Sequence, residues 1–460
     1  MVAETGGVLA GPKSREGTRT LVRGSCRRAR TSRRGIRPTL RLPETPSESA
    51  DVLLAVTVIA GILFTWCVLS RRLALWSITA PIAMMVAGIA LTSGSDPPLV
   101  FDLGDMAGFE HAVEVVLALL LFVDATEVPA GVIRRERSVV ARLLGTGLPL
   151  TLVAAFLTAL AFFPDEPGWV LATLATVVVP LDLAPASAVV RDKRIPARLR
   201  EVLNVEGGLS DGIVSPVFLI CVTAATEYHT VGDDYTEALL DAVGAAGWAV
   251  GAGSLVGYVT GWLLQRSWAR GWTLPGATRL AVLSVPIAAY TLSAALGGNG
   301  FVASFVAGVC IAPAMRHLPG DTVKMTDDLV TLLTLALWFL FGQLVSDEFW
   351  DGFHLSVVLY ALLAVTLVRL VPVMLALIGT DLSLSDRLFL GWMGPRGVTS
   401  VVFGLLAAIE LPAAGGGDFI SRVMVITVMV SIVLHGLSAE PIGRRYARGR
   451  PASPEPRGVG

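Results

Sequence analysis

Glu206 and Asp211 stand five residues apart in one apolar stretch, Leu203-Asn204-Val205-Glu206-Gly207-Gly208-Leu209-Ser210-Asp211-Gly212, which runs on through Phe218 and Val222. A carboxylate at membrane depth is costly unless it faces protein, water or a partner, so by default it marks a functional site. The chemistry open to it is limited. It can hold a hard cation through oxygen or it can hold a proton, and burial favours the neutral form. Two ligands that exclude each other on one group make a complete exchange device. Ser210 adds a hydroxyl beside Asp211, unless that hydroxyl is spent on its own helix backbone.

Two further charges sit beside interruptions of apolar runs. One run reads Val177-Val178-Val179-Pro180-Leu181-Asp182-Leu183-Ala184-Pro185, the other Gly391-Trp392-Met393-Gly394-Pro395-Arg396-Gly397-Val398-Thr399. Proline removes a backbone donor and clashes one turn back, and glycine lowers the cost of unwinding. Pro180, Pro185, Gly394 and Pro395 therefore read as helix breaks. A kink alone would be ordinary, but a charge beside the break in both runs makes it a poorer account. Asp182 has two readings, an ion ligand or an organiser of the break. Arg396 reads as a fixed counter-charge to the negative ends of the broken helices. Thr399 reads as a helix hydroxyl bonded to its own backbone.

The elements that must position these residues are membrane helices. Hydrophobic residues make up 53% of the 460-residue chain, charged residues 16%, and the mean hydropathy is +0.68. A soluble domain carries about 25% charged residues, so this composition excludes a soluble protein. The net charge of −1 says little, because the charges are segregated by loop. Cys26, Cys67, Cys221 and Cys310 form no CxxC or Cys/His cluster, which excludes a disulfide framework or a zinc site. No HExxH, GxSxG or Walker loop is present, and no cofactor and no nucleic acid are expected.

Apolar runs near the length of about 20 residues needed to cross a bilayer recur with short polar breaks. About thirteen are legible: 51–70, 74–92, 111–128, 141–163, 168–190, 205–226, 238–265, 277–296, 300–315, 329–345, 354–378, 388–409 and 421–439. A transmembrane β-barrel would alternate over about ten residues, and these runs are continuous. The expected fold is an all-α polytopic membrane protein of about 13 transmembrane helices. The broken fifth and twelfth spans are seven apart, hence at matching positions of two six-helix repeats, inverted by an odd linker helix. Interrupted segments so placed point to the binding site of a secondary transporter.

Basic loops alternate with acidic or neutral ones along the chain. Basic loops stay cytoplasmic, which predicts a multi-pass protein of the cell (plasma) membrane with a cytoplasmic C-terminus. The expected domains are a basic disordered tail over 1–50, a transmembrane domain over 51–440 and a short cytoplasmic basic tail over 441–460. The first tail has eleven Lys or Arg against four Glu, yet this orientation places it outside. An over-extended start, with translation beginning nearer Pro43 to Leu53, is the favoured reading of it.

The chain resembles the bacterial cation:proton antiporters of the NhaP-type sodium/hydrogen exchanger class, from about Asp51 to Arg445. The resemblance rests on Pro180-Leu181-Asp182, Glu206 with Ser210-Asp211-Gly212, Gly300-Phe301-Val302-Ala303-Ser304-Phe305-Val306-Ala307-Gly308, Arg369, and Gly394-Pro395-Arg396-Gly397. It implies a homodimer in which a six-helix core moves against a dimerisation domain by alternating access, exchanging a monovalent cation (sodium, potassium or lithium) for protons. It places the ion-site Asp on Asp211, its partner Glu on Glu206, the Arg paired with that Glu on Arg369, and the Asp of the broken fifth helix on Asp182. Glu206 with Arg369 then reads as a structural ion pair joining the sixth helix to the eleventh. Two residues depart from the pattern: Leu181 stands where the family has Thr, and Ser210 where it has Asn.

Other polar groups have blander readings. Asp124 and Glu114 in the third span fit a solvated funnel wall, and His435 in the last span a satisfied structural histidine. Competing functions are a cation or proton channel, an intramembrane enzyme using Asp182 and Asp211 as acid and base, and a degenerate sensor that does not transport. A channel calls for a filter and an enzyme for a substrate-binding motif, and the chain has neither, so it is not read as an enzyme. The expected function is electroneutral cation/proton antiport, with the lipid bilayer as surroundings.

Overall fold

In a bilayer each backbone N–H and C=O has to find its partner within the chain, so long apolar runs become helix. The computed structural model describes residues 46–75, 79–93, 109–128, 130–183, 195–231, 236–351, 354–411 and 416–448. Among these residues every regular element is helical: α1 (Pro46–Leu75), α2 (Ala80–Thr92), α3 (Phe109–Glu127), α4 (Ala130–Arg135), α5 (Arg137–Arg142), α6 (Leu148–Phe162), α7 (Gly168–Val178), α8 (Ala197–Val231), α9 (Thr236–Ala269), α10 (Pro275–Ala295), α11 (Gly300–Met315), α12 (Lys324–Asp351), α13 (Leu355–Val365), α14 (Leu367–Ala376), α15 (Leu384–Trp392), α16 (Val398–Glu410) and α17 (Gly416–Arg448). Seven stretches among the described residues are long and apolar enough to cross a membrane, and Ala80–Thr92, Gly168–Val178, Gly300–Met315 and Val398–Glu410 are shorter apolar helices.

Each apolar run of the sequence coincides with one or more of these helices, but the boundaries differ. Helix α8 has 35 residues, about 50 Å at the helical rise, against a hydrocarbon core of about 30 Å. Hydropathy marks where the oil begins, while the helix continues past it. Its polar start is anchored: Arg198 donates to Glu136 (2.9 Å) and to both oxygens of Asp381 (2.8 and 3.0 Å). These bonds tie α8 to the α4–α5 junction and to the turn after α14.

Four irregularities interrupt the helices. The fifth run stops as helix at Val178 and is irregular through Leu183; its remainder, including Pro185, lies outside the described residues. The twelfth run is broken between Trp392 and Val398. The other two are not anticipated by the sequence reading. A π-helical turn, Leu143–Gly147, leads into α6; Pro149 has no N–H to offer the carbonyl one turn back. The eleventh run breaks at Thr366 (φ −110°, ψ −91°), which separates α13 from α14.

Packing around the interruptions is close. Phe218 of α8 stacks on Phe403 of α16 with ring centroids 4.5 Å apart. Gly253, Gly257 and Gly261 form a one-per-turn stripe on α9. A Cβ at Gly253 would lie 2.4 Å from the Ala303 carbonyl oxygen, and one at Gly257 would lie 2.6 Å from that of Ala307. Small residues at this spacing let α9 meet α11 backbone to backbone.

Candidate functional site

The two Pro-containing breaks lie side by side and are cross-linked. The Asp182 N–H donates to the Pro395 carbonyl (3.0 Å), and the Val398 N–H donates to Asp182 Oδ2 (2.8 Å). Unwinding has freed these backbone groups, and each finds its partner in the other break. The approach leaves no room for side chains. A Cβ at Gly397 would stand 2.1 Å from Asp182 Oδ2, and one at Gly394 would stand 2.0 Å from Arg369 Nε.

Arg396 is fully buried. Its guanidinium donates to the Val179 carbonyl, to that of Pro180 (3.2 Å) and to that of Ala364 (3.4 Å). A cation thus faces the carbonyl end of α7, where the helix dipole is negative. The second end it meets differs from the expectation. It is that of α13, opened by the break at Thr366, and not that of α15. Arg369 makes a bidentate pair with Glu206, at 3.0 and 3.1 Å, and donates to the Leu390 carbonyl at 3.1 Å. Both partners are buried, so α8, α14 and α15 meet at one guanidinium.

Asp211 is 2% exposed, and each of its oxygens receives a hydroxyl. Ser210 Oγ lies 2.9 Å from Oδ1 and 3.0 Å from its own helix's Gly207 carbonyl, and Thr399 Oγ1 donates to Oδ2. Thr399 is therefore a correction to the sequence reading: its hydroxyl crosses from α16 to α8. The helical register hides this, since a hydroxyl in a helix can always reach back one turn. Only the position of Thr399 one residue into a helix that follows a break could have signalled it.

A cavity of about 220 Å³ opens at this point, lined by Asp124, Glu127, Asp182, Asn204, Asp211 and Thr399 with apolar neighbours. Asp124, on α3, shares this cavity with Asp182 and Asp211, while Glu114 pairs with His111 on its own helix (3.1 Å) and is not among the lining residues. Asn204, two residues before Glu206, was not singled out by sequence; one amide in a helical run carries no signal of its own. The lining oxygens are hard donors of the kind that suit a monovalent cation, and the carboxylates can carry protons.

Comparison with known proteins gives this geometry its family. The family model described as sodium/hydrogen exchanger, transmembrane, matches residues 54–445. The chain is similar to a Na(+)/H(+) antiporter of Schizosaccharomyces pombe, with 23% identity over 84% of this chain and 89% of that one. It is similar to the K(+)/H(+) antiporter NhaP of Alkalimonas amylolytica, with 25% identity over 55% of this chain and 43% of that one. To the uncharacterized Na(+)/H(+) exchanger YjcE of Escherichia coli it is 30% identical over 38% of this chain and 32% of that one. The chain thus spans about a third of the last relative and less than half of the second. Its fold is similar to that of the sodium proton antiporter MjNhaP1 from Methanocaldococcus jannaschii, with a TM-score of 0.67 and 18% identity over 86% of this chain and 99% of that one. The family match takes in both breaks, the buried Arg–Glu pair and the Asp211 cavity, and on that ground the chain belongs to the sodium/hydrogen exchanger family.

Proposed function

We propose that the protein is a secondary transporter that exchanges a monovalent cation, sodium or potassium, for protons across the cell membrane, with Asp211 holding either ligand in turn. The observation that carries this reading is a single carboxylate, buried and set between two hydroxyls, at the wall of a cavity that reaches three further carboxylates, Asp124, Glu127 and Asp182. Hydroxyls serve both states of such a group, because they donate to a carboxylate and accept from a carboxylic acid. Each half-cycle balances: the carboxylic acid releases one proton as the carboxylate takes one cation. The names of the relatives cover both sodium and potassium. Leu181 lacks the family's hydroxyl, but Thr399 supplies one to Asp211 from the other break, and Ser210 still supplies an oxygen.

Around this site, Asp182 organises the crossing with one oxygen while lining the cavity, Glu206 with Arg369 braces the helices, and Arg396 holds the carbonyl ends. The remainder of the reading is a homodimer of thirteen spans in two inverted repeats, with basic tails over 1–50 and 441–460 and the C-terminus in the cytoplasm. The test is proton flux driven by sodium, potassium or lithium in proteoliposomes, followed by a pH-sensitive dye. Wild-type protein exchanges, and Asp211→Asn, which keeps shape and one oxygen, inserts but does not. Full exchange by Asp211→Asn would move the proton carrier elsewhere and overturn the mechanism.

A further inference from the structure

The last helix carries a polar stripe that the site described above does not account for. Ser431, His435 and Ser438 fall at i, i+4 and i+7 of α17, hence on one face. That face lies on the broken twelfth run. The Arg396 N–H donates to Ser431 Oγ at 2.7 Å. His435 Nε2 lies 2.9 Å from the Trp392 carbonyl, and the Trp392 indole N–H donates to Ser438 Oγ at 3.0 Å. A carbonyl oxygen only accepts, so the bond to Trp392 is made by the tautomer with its proton on Nε2. Nδ1 lies 3.3 Å from Ser431 Oγ and 3.0 Å from the Ser431 carbonyl. In that tautomer Nδ1 accepts, and of its two neighbours only the Ser431 hydroxyl can donate to it, which leaves the Ser431 oxygen to accept from the Arg396 N–H. One continuous chain of bonds then runs from the Arg396 N–H to the Trp392 carbonyl, bridging the Gly394-Pro395 break from outside.

We infer that Ser431 and His435 are positioning residues for ion exchange: they splint the broken helix so that the segment 393–399 presents its groups to both carboxylates of the site. The segment's contacts show what depends on the splint. The Pro395 carbonyl takes the Asp182 N–H, the Val398 N–H holds Asp182, and the Thr399 hydroxyl holds Asp211. Within the segment itself, the Gly394 N–H turns back to the Trp392 carbonyl at 2.8 Å, and Pro395 has no N–H to give. The Arg396 N–H and the Trp392 carbonyl are thus the backbone groups that join the two sides of this turn to α17 among the described residues. Both splinting residues are buried, at 0% and 1% exposure, where an unmade hydrogen bond is not replaced by water.

The consequence for transport rests on the exchange reading of Asp211; the splint itself does not. Two measurements on the full chain in nanodiscs and proteoliposomes separate them. Amide hydrogen exchange over 392–399 is expected to speed up about tenfold in Ser431→Ala and His435→Leu. His435→Gln, whose amide N–H can reach the same carbonyl, returns it toward wild type. In flux assays, the half-saturating cation concentration is expected to rise about fivefold in Ser431→Ala and His435→Leu, on the scale of one lost hydrogen bond, with maximal rate changed less, and His435→Gln is rescued. Unchanged amide exchange in both variants would remove the splint. Faster exchange with unchanged half-saturation would make it a structural feature only and overturn the positioning role, as would equal damage from Gln and Leu. A wild-type protein without cation-driven flux would defeat the exchange reading and leave the amide measurement to judge the splint alone.

Discussion

Asp211 is the residue on which the proposed chemistry turns, and its surroundings make a quantitative demand. If one carboxylate alternately holds a cation and a proton, the two compete by mass action. As pH falls below the site's own pKa, the acid form dominates and apparent cation affinity weakens about tenfold per pH unit. Above that pKa the carboxylate is already free, and affinity becomes independent of pH. Half-saturating cation concentration measured across pH in proteoliposomes should trace this bend with a limiting slope of one. A flat profile would mean that the cation does not displace a proton from its own ligand. At this scale the sequence was legible in part. Glu206 and Asp211 stand out because charge in an apolar run has to be explained. Thr399 does not, because nothing in its neighbours says that the helix it begins will face Asp211.

Between elements, the Glu206–Arg369 pair is the contact whose loss is simplest to forecast. It is buried and bidentate, and it joins α8 to α14. Glu206→Gln leaves a buried guanidinium without its counter-charge, a change that costs about 3–5 kcal/mol when one partner of such a pair is removed. Arg369→Ala should cost a similar amount, and the double change less than the sum. Thermal unfolding in detergent, with and without cation, is the measurement. A Glu206→Gln protein of wild-type stability that no longer binds cation would make Glu206 a ligand. The element scale also shows what the sequence could not disclose. The breaks at Pro180 and Gly394-Pro395 announce themselves through residues that cannot continue a helix. The break at Thr366 has no such residue, since it lies within Ala364-Val365-Thr366-Leu367-Val368, and so the carbonyl of Ala364 was not available as a partner when Arg396 was read from sequence. Pairings between breaks, such as Asp182 with Pro395 and Val398, depend on three-dimensional crossing and leave no pattern along the chain.

For the whole molecule the number of protons moved per cation follows from how each carboxylate is held. Glu206 spends both oxygens on Arg369, and Asp182 accepts a backbone N–H, a bond that is stronger to the ionised form. Asp211 is the carboxylate whose described side-chain partners are both hydroxyls, and Ser210 stands where a second acid would give a site with two adjacent carboxylates. One proton per cation, and hence electroneutral exchange, is the expectation. A membrane-potential dye in proteoliposomes with an imposed sodium gradient should report no sustained potential during exchange; a potential would assign a second proton to Asp124 or Asp182.

The glycine stripe of α9 has a mechanical meaning. Where two helices touch backbone to backbone, no side-chain layer lies between them to shear, so α9 and α11 behave as a single stiff beam. The opposite flank of α11 is built otherwise. There the ring of Phe305 lies over Gly212 so closely that a Cβ on that glycine would fall 2.2 Å from it. The ring seats where Gly212 has no side chain, so a Cβ at that position would have to displace it. Gly212 is the residue after Asp211, so this ring contact fixes the main chain beside that carboxylate. One helix is thus joined to α9 through main chain alone and to α8 through a ring over a glycine, and a side chain added at Gly253, Gly257 or Gly212 is expected to force these seams apart.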